Sequence, residues 1–230
     1  MNSFYQTSAF LGLLLSLAAY GIGILLKRKF KLALFNPLLI SILVTIGVLV
    51  FAHISYDSYY SSAKLLSSLL TPATICLAIP LYEQMEQLKN NWKAISIGIL
   101  SGVFGSLGCV LLMSVLFHFN HAEYVTLLPK SITTAIGMGV SEELGGYVTL
   151  TVAFIIITGV FGNITAELAL ALFRISHPIA KGVALGTAAH AIGTAKAMEI
   201  GETEGAMSSL SIAVSGLLTV IGASIFAQLY

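Results

Sequence analysis

Long apolar runs separated by short polar stretches set the plan of this chain. Runs cover about residues 4–26, 32–51, 65–82, 94–117, 124–140, 147–173 and 207–229, and another contains "ALGTAAHAIGTAK" at residues 184–196. A helix needs about 20 apolar residues to cross a bilayer. The runs therefore predict an all-α polytopic membrane protein with seven or eight membrane segments and short connections. The first run precedes its positive charges and has no small-residue cleavage site, which predicts a retained span rather than a signal peptide. The whole chain, 1–230, reads as one integral membrane domain.

Two of the runs carry their own interruptions. "TPATICLAIP" places Pro72 and Pro80 in the third segment, and "LPKSITTAIG" places Pro129 in the fifth. Proline removes a backbone donor, so each position predicts a kinked or broken helix. The two stretches also match each other. Pro72 and Pro129 stand 57 residues apart, as do Gly102 of "GVFGS" and Gly159 of "GVFGN". Ten of the thirty-five ungapped positions from Pro72 to Ser106 are identical in the second copy, which predicts an internal repeat with copies near 65–120 and 122–177. Paired interrupted segments in corresponding places are a sign of a transporter binding site. Freed backbone groups must line a cavity or be buried in protein.

Composition agrees with lipid as the solvent. The chain is 57% hydrophobic and 9% charged, whereas soluble domains carry about 25% charged residues. A net charge of +1 leaves no basic footprint for nucleic acid. Cys76 and Cys109 lie in apolar runs without metal or redox spacing and read as packing residues. Lys27, Arg28, Lys29 and Lys31 form a cluster that belongs in the cytoplasm and leaves the N-terminus outside. "HISYDSYYSSAK" reads as an outer loop and "EQMEQLKNNWK" as a cytoplasmic one. A conflict appears further on. If segment five crosses fully, the copies are parallel, and Arg174 and Lys181 fall outside, against the charge rule. If it re-enters, segment six turns over, the copies are inverted, and those charges fall inside.

Candidate chemistry collects in two places. In "PKSITT", Lys130 offers a positive charge and Ser131, Thr133 and Thr134 offer hydroxyls beside Pro129. That set suits a small anion, since a carboxylate wants cationic and N–H donors; in the first copy Thr74 replaces Ser131 and Ala73 replaces Lys130. Snorkelling to the interface is the plain alternative for Lys130. The second place is the Gly-Thr-Ala pair. On one continuous helix Gly186, His190 and Gly193 share a stripe, either as a small-residue packing face or with Thr187, His190 and Thr194 lining a path. The two glycines, with Pro72, Pro80 and Pro129, are the positions expected to loosen helices. No order of residues suggests hydrolysis, a metal site or a phosphate loop, so neither enzymatic activity nor a cofactor is expected.

"NPLL" at residues 36–39, "ISYDSY" at 54–59, "AIPLYEQ" at 78–84, "LPKSITTAIGM" and "GTAAHAIGTAKAMEIGETEGAMSSL" together resemble the LrgB/CidB family over nearly the full length. Ala135 and Ala189 stand where that family's pattern has Pro and Ser. The family is bacterial, with a plastid glycolate/glycerate translocator among its relatives. Members carry antiholin-like or murein-hydrolase-regulator names, and some resemble carriers of pyruvate-like acids that work with a small LrgA-type membrane protein. The resemblance implies one of two functions. The first is a secondary transporter of small monocarboxylates in the inner membrane, with proton coupling and a homo-oligomeric, dimeric assembly as its expectations. The second is a holin- or antiholin-like oligomer that modulates envelope permeability.

Overall fold

The computed structural model describes residues 10–30, 35–69, 72, 75, 76 and 78–230. The chain divides into two compact units, Met1–Cys76 and Leu77–Tyr230. Among the described residues the ordered elements are helices.

The first unit contains α1 (Leu11–Phe30), α2 (Pro37–Phe51) and α3 (Tyr56–Ser68). Asn36 caps α2 through its side chain, with Pro37 at the first helical position, where the missing donor costs nothing. The stretch expected as an outer loop is mostly helix α3, because the Ser55 side chain caps it by accepting from the Ser58 N–H. Gly12 and Gly23 let α1 approach its neighbours. The Gly12 N–H donates to Ser62 Oγ at 2.9 Å, and a Cβ at Gly23 would lie 2.6 Å from the Pro37 carbonyl oxygen.

The second unit contains α4 (Ala78–Glu83), α5 (Met85–Phe117), α6 (His121–Leu127), α7 (Thr134–Glu143), α8 (Val148–Leu172), α9 (Pro178–Ile200) and α10 (Glu202–Phe226). The polar stretch expected as a cytoplasmic loop ends α4 and begins α5. Four helices among the described residues are long and apolar enough to cross a membrane: α1, α5, α8 and α10. The other expected segments do not join these four: α2 has 15 residues, segment three lies partly outside the described residues, and segments five and seven are interrupted.

Helix α10 serves as a ruler for both interruptions. Around α9, a Cβ on Gly186 would meet the Ser208 carbonyl oxygen at 2.5 Å, and Gly182 lies against Glu204. This first arm runs parallel to α10. Beyond it, Thr194 Oγ1 is 2.7 Å from Ser208 Oγ, and Gly205 faces Met198. This second arm runs antiparallel. The turn falls at Ala189 (φ −131°, ψ 18°) and His190 (φ 42°, ψ −137°). Gly193 consequently packs against the Leu185 carbonyl; along a straight helix eight residues span about 12 Å. Segment seven is a helical hairpin, so the expected continuous stripe of Gly186, His190 and Gly193 does not form. Neither glycine breaks the helix. The break lies between them, and each glycine instead serves a close contact.

Segment five also doubles back. Helix α6 ends before Pro129, and helical geometry resumes at Thr134. Thr151 Oγ1 donates to the Thr126 carbonyl (3.0 Å) and lies 2.7 Å from Ser141 Oγ. The Tyr147 N–H donates to Thr126 Oγ1 at 2.8 Å. The start of the hairpin and its exit thus lie side by side. Its outer end sits by the C-terminus of α10, where Tyr124 donates to the Phe226 carbonyl at 2.9 Å. The α9 hairpin opens at the other end of α10. The two hairpins therefore enter from opposite ends, and α5 and α8 run antiparallel. Buried Tyr124, Val125, Leu128 and Ile132 of the first hairpin join Ile99, Val103 and Leu107 of α5 in the main core.

Pro80 lies within helix α4, and residue 77 just before that helix lies outside the described residues. Pro72 is exposed, with its neighbours on both sides outside the described residues, and Thr74 also lies outside them.

Candidate functional site at the two hairpin tips

Two adjacent turns of α5 receive the two tips. At the lower turn, Gly102 has no side chain, and a Cβ there would stand 2.9 Å from Thr187 Oγ1. At the upper turn, Ser106 Oγ is 3.0 Å from Ser131 Oγ. Lys130 Nζ donates to Ser131 Oγ at 3.0 Å and to Ser106 Oγ at 3.3 Å. Ser131 is buried and Lys130 half-buried, and Lys130 has no carboxylate partner among the described residues. Thr133 is the N-cap residue of α7 but makes no side-chain capping bond. Thr134 follows it, and both are half-buried. The tip thus combines one cation, open hydroxyls and a helix N-terminus, the donor set for a small anion.

The second tip is built around His190. Its Nε2 lies 2.9 Å from the Ile155 carbonyl oxygen. A carbonyl only accepts, so Nε2 carries the hydrogen and Nδ1 is left to accept or to bind a proton. The ring rests on α8 at Gly159, where a Cβ would be 2.6 Å from Cε1, and Ala189 rests on Gly162, where a Cβ would be 2.5 Å from the Ala189 Cβ. Asn163 Nδ2 donates to the Ile192 carbonyl at 2.9 Å. Thr187 bonds back to the Val183 carbonyl at 2.7 Å. It lines a cleft of about 590 Å³ that runs between α5 and the first arm from Asn91 and His177 past Ser101 to Gly102. Thr194 stands elsewhere. It is buried between the His190 carbonyl (3.1 Å) and Ser208 Oγ (2.7 Å), on the α10 side.

The backbone at His190 occupies a region where only glycine rests easily, and holding a side chain there costs on the order of 1–3 kcal/mol. His190→Gly therefore loses the ring but regains backbone freedom, whereas His190→Ala loses the ring and keeps the strain. Thermal unfolding is expected to place the Gly variant a few degrees above the Ala variant. An Ala variant as stable as the Gly variant would remove strain from this tip.

Sequence reasoning missed the residues that hold the tips. Ser106 and Asn163 end the matching "GVFGS" and "GVFGN" stretches. One bonds the first tip and the other bonds the second. The likeness of the two stretches was visible, but no spacing rule assigns those two positions to a site.

An all-helical membrane protein in which two segments fold as hairpins from opposite ends of α10 is the class these observations define. Comparison with known proteins makes it particular: residues 16–229 match the LrgB-like family, and the chain belongs to that family. It is 38% identical over 223 residues to the antiholin-like protein LrgB of Bacillus subtilis (strain 168), covering 96% of each chain. It is 39% identical over 213 residues to the antiholin-like protein LrgB of Bacillus mycoides (strain KBAB4), covering 92% of this chain and 93% of the relative. No solved structure matches it. Bacterial relatives and apolar helices of spanning length together fit a bacterial membrane protein.

Proposed function

We propose that this LrgB-family protein is a secondary transporter of small monocarboxylates, of the pyruvate or glycolate kind, held between the two hairpin tips. The observation that carries the reading is Lys130. An ammonium without a carboxylate partner sits beside Ser106, Ser131 and the N-terminus of a half-helix, on an apolar fold where uncompensated charge is costly. In this reading Lys130 attracts the carboxylate. Ser131, Thr133 and Thr134 hydrogen-bond it, and Thr187 marks the end of the access cleft. His190 orients the substrate or takes a coupling proton at Nδ1. The antiparallel run of α5 and α8 supports an inverted internal repeat, with Gly102 and Gly159 as equivalent positions. Lys89, Lys93, Arg174 and Lys181 gather at one end of the second unit, and Glu123, Glu142 and Glu143 at the other. The charge rule then puts the first end in the cytoplasm, and the basic end of α1 puts the N-terminus outside. The working assembly is a homo-oligomer in the bacterial inner membrane, with an LrgA-type protein as partner.

A second reading is favoured by the names of the relatives. As an antiholin-like regulator, the chain would oligomerise and alter envelope permeability, with the small residues of α9 and α10 as packing surfaces. Uptake of labelled pyruvate, glycolate and lactate into proteoliposomes, with and without the LrgA-type partner, separates the two. A transporter saturates and discriminates among the acids. If no acid is taken up, and permeability instead follows membrane potential and oligomer size, the regulator reading stands. If His190 carries the coupling proton, His190→Ala flattens the pH dependence of uptake; an unaltered profile assigns the ring to structure.

A further inference from the structure

A second cleft, of about 680 Å³, lies at the open end of the α9 hairpin, between the end of α8 and both arms of α9. Its floor includes Leu170, Ile175 and Ile200, and its rim carries Arg174 and Lys181. The acids of this cleft are already engaged. Lys196 lies 2.6 Å from Glu167 and 3.3 Å from Glu199. Arg174 and Lys181 have no carboxylate partner among the described residues. Arg174 also takes a left-handed backbone position, as His53 and His118 do after the ends of α2 and α5. It follows α8 at φ 54° and its N–H donates to the Ala171 carbonyl at 3.1 Å, while the Ile175 N–H donates to Leu170 at 2.8 Å. That capping turn ordinarily takes glycine, and an arginine there costs about 1–2 kcal/mol.

We propose that this cleft binds the headgroup of an anionic phospholipid, with the phosphate between Arg174 and Lys181 and the upper acyl chain along Leu170, Ile175 and Ile200. The apolar floor at the end of a spanning helix favours a lipid over a soluble phosphate, which would leave that floor wet. Basic pockets between membrane helices suit such headgroups. An occupant here touches α8 and both arms of α9, and so steadies the hairpin that carries His190.

The test uses the full chain in nanodiscs of phosphatidylcholine alone or with phosphatidylglycerol. Native mass spectrometry reads retained lipid, and thermal unfolding reads stability. Phosphatidylglycerol is expected to be retained and to raise the unfolding midpoint. The double variant Arg174→Gln/Lys181→Gln should bind it about 30-fold more weakly, and Lys181→Gln alone, which leaves the capping turn untouched, about fivefold more weakly. Lys89→Gln/Lys93→Gln, with the same charge loss at the same end of the unit, should retain it. Equal retention by wild type and Lys181→Gln, or equal loss in the Lys89/Lys93 control, overturns the site. A midpoint rise with inorganic phosphate and none with phosphatidylglycerol overturns the lipid assignment.

Discussion

Replacing Lys130 with methionine lowers monocarboxylate binding about a hundredfold and leaves the protein folded in the membrane. A hydrogen bond between charged partners contributes about 1.5–3 kcal/mol, and a hundredfold corresponds to about 2.7 kcal/mol. The fold survives because the ammonium holds no carboxylate. Its partners are the hydroxyls of Ser106 and Ser131, which bond each other at 3.0 Å. Methionine keeps the length of the side chain and removes a charge that is costly to hold at this depth. Lys130→Arg keeps the charge but changes a compact ammonium into a planar fork, so it should retain weak binding. Binding measured on purified protein settles the matter. Unchanged affinity in Lys130→Met assigns the side chain to snorkelling. Loss of folded protein assigns it to structure.

Gly186→Leu is expected to cost about 3 kcal/mol or more and to lower the unfolding midpoint by roughly ten degrees. At this position a Cβ would lie 2.5 Å from the Ser208 carbonyl oxygen, 2.8 Å from Ser211 Cβ and 2.9 Å from Ser208 Cα. Two of those atoms are backbone, so no side-chain rotation makes room. The first arm of α9 must separate from α10, which also strips the packing around Thr194 and Ser208. Gly108→Leu is the control, since nothing lies within 4 Å of a Cβ there. It should change the midpoint little. Equal losses at the two positions would mean that the α9–α10 contact does not hold the hairpin.

The break in segment five was legible because proline announces it: Pro129 carries no N–H, and the helix stops before it. The break in segment seven was not legible. "TAAHA" has no proline or glycine, and alanine favours helix. What turns the chain there is tertiary, namely the Ile155 carbonyl that holds the imidazole and the bare surfaces of Gly159 and Gly162 that admit the tip. The flanking Gly186 and Gly193 drew attention as breakers because glycine is permissive. Here it is their lack of a side chain that matters. Lys130 and Ser131 could be singled out from composition and spacing. Ser106 could not, since its role depends on which turn of α5 the hairpin tip meets. With α5 and α8 antiparallel, Arg174 and Lys181 share an end of the second unit with Lys89 and Lys93.

The most direct measurement joins the geometry to the activity. In a Cys76→Ser/Cys109→Ser background, Ser106→Cys/Ser131→Cys places two thiols where the hydroxyl oxygens now stand 3.0 Å apart, within reach of a disulfide. The bond should form readily, stop monocarboxylate uptake in proteoliposomes, and release it again on reduction. A pair that never cross-links, or a cross-linked protein that takes up the acid at the uncross-linked rate, would show that no anion passes the first hairpin tip beside α5.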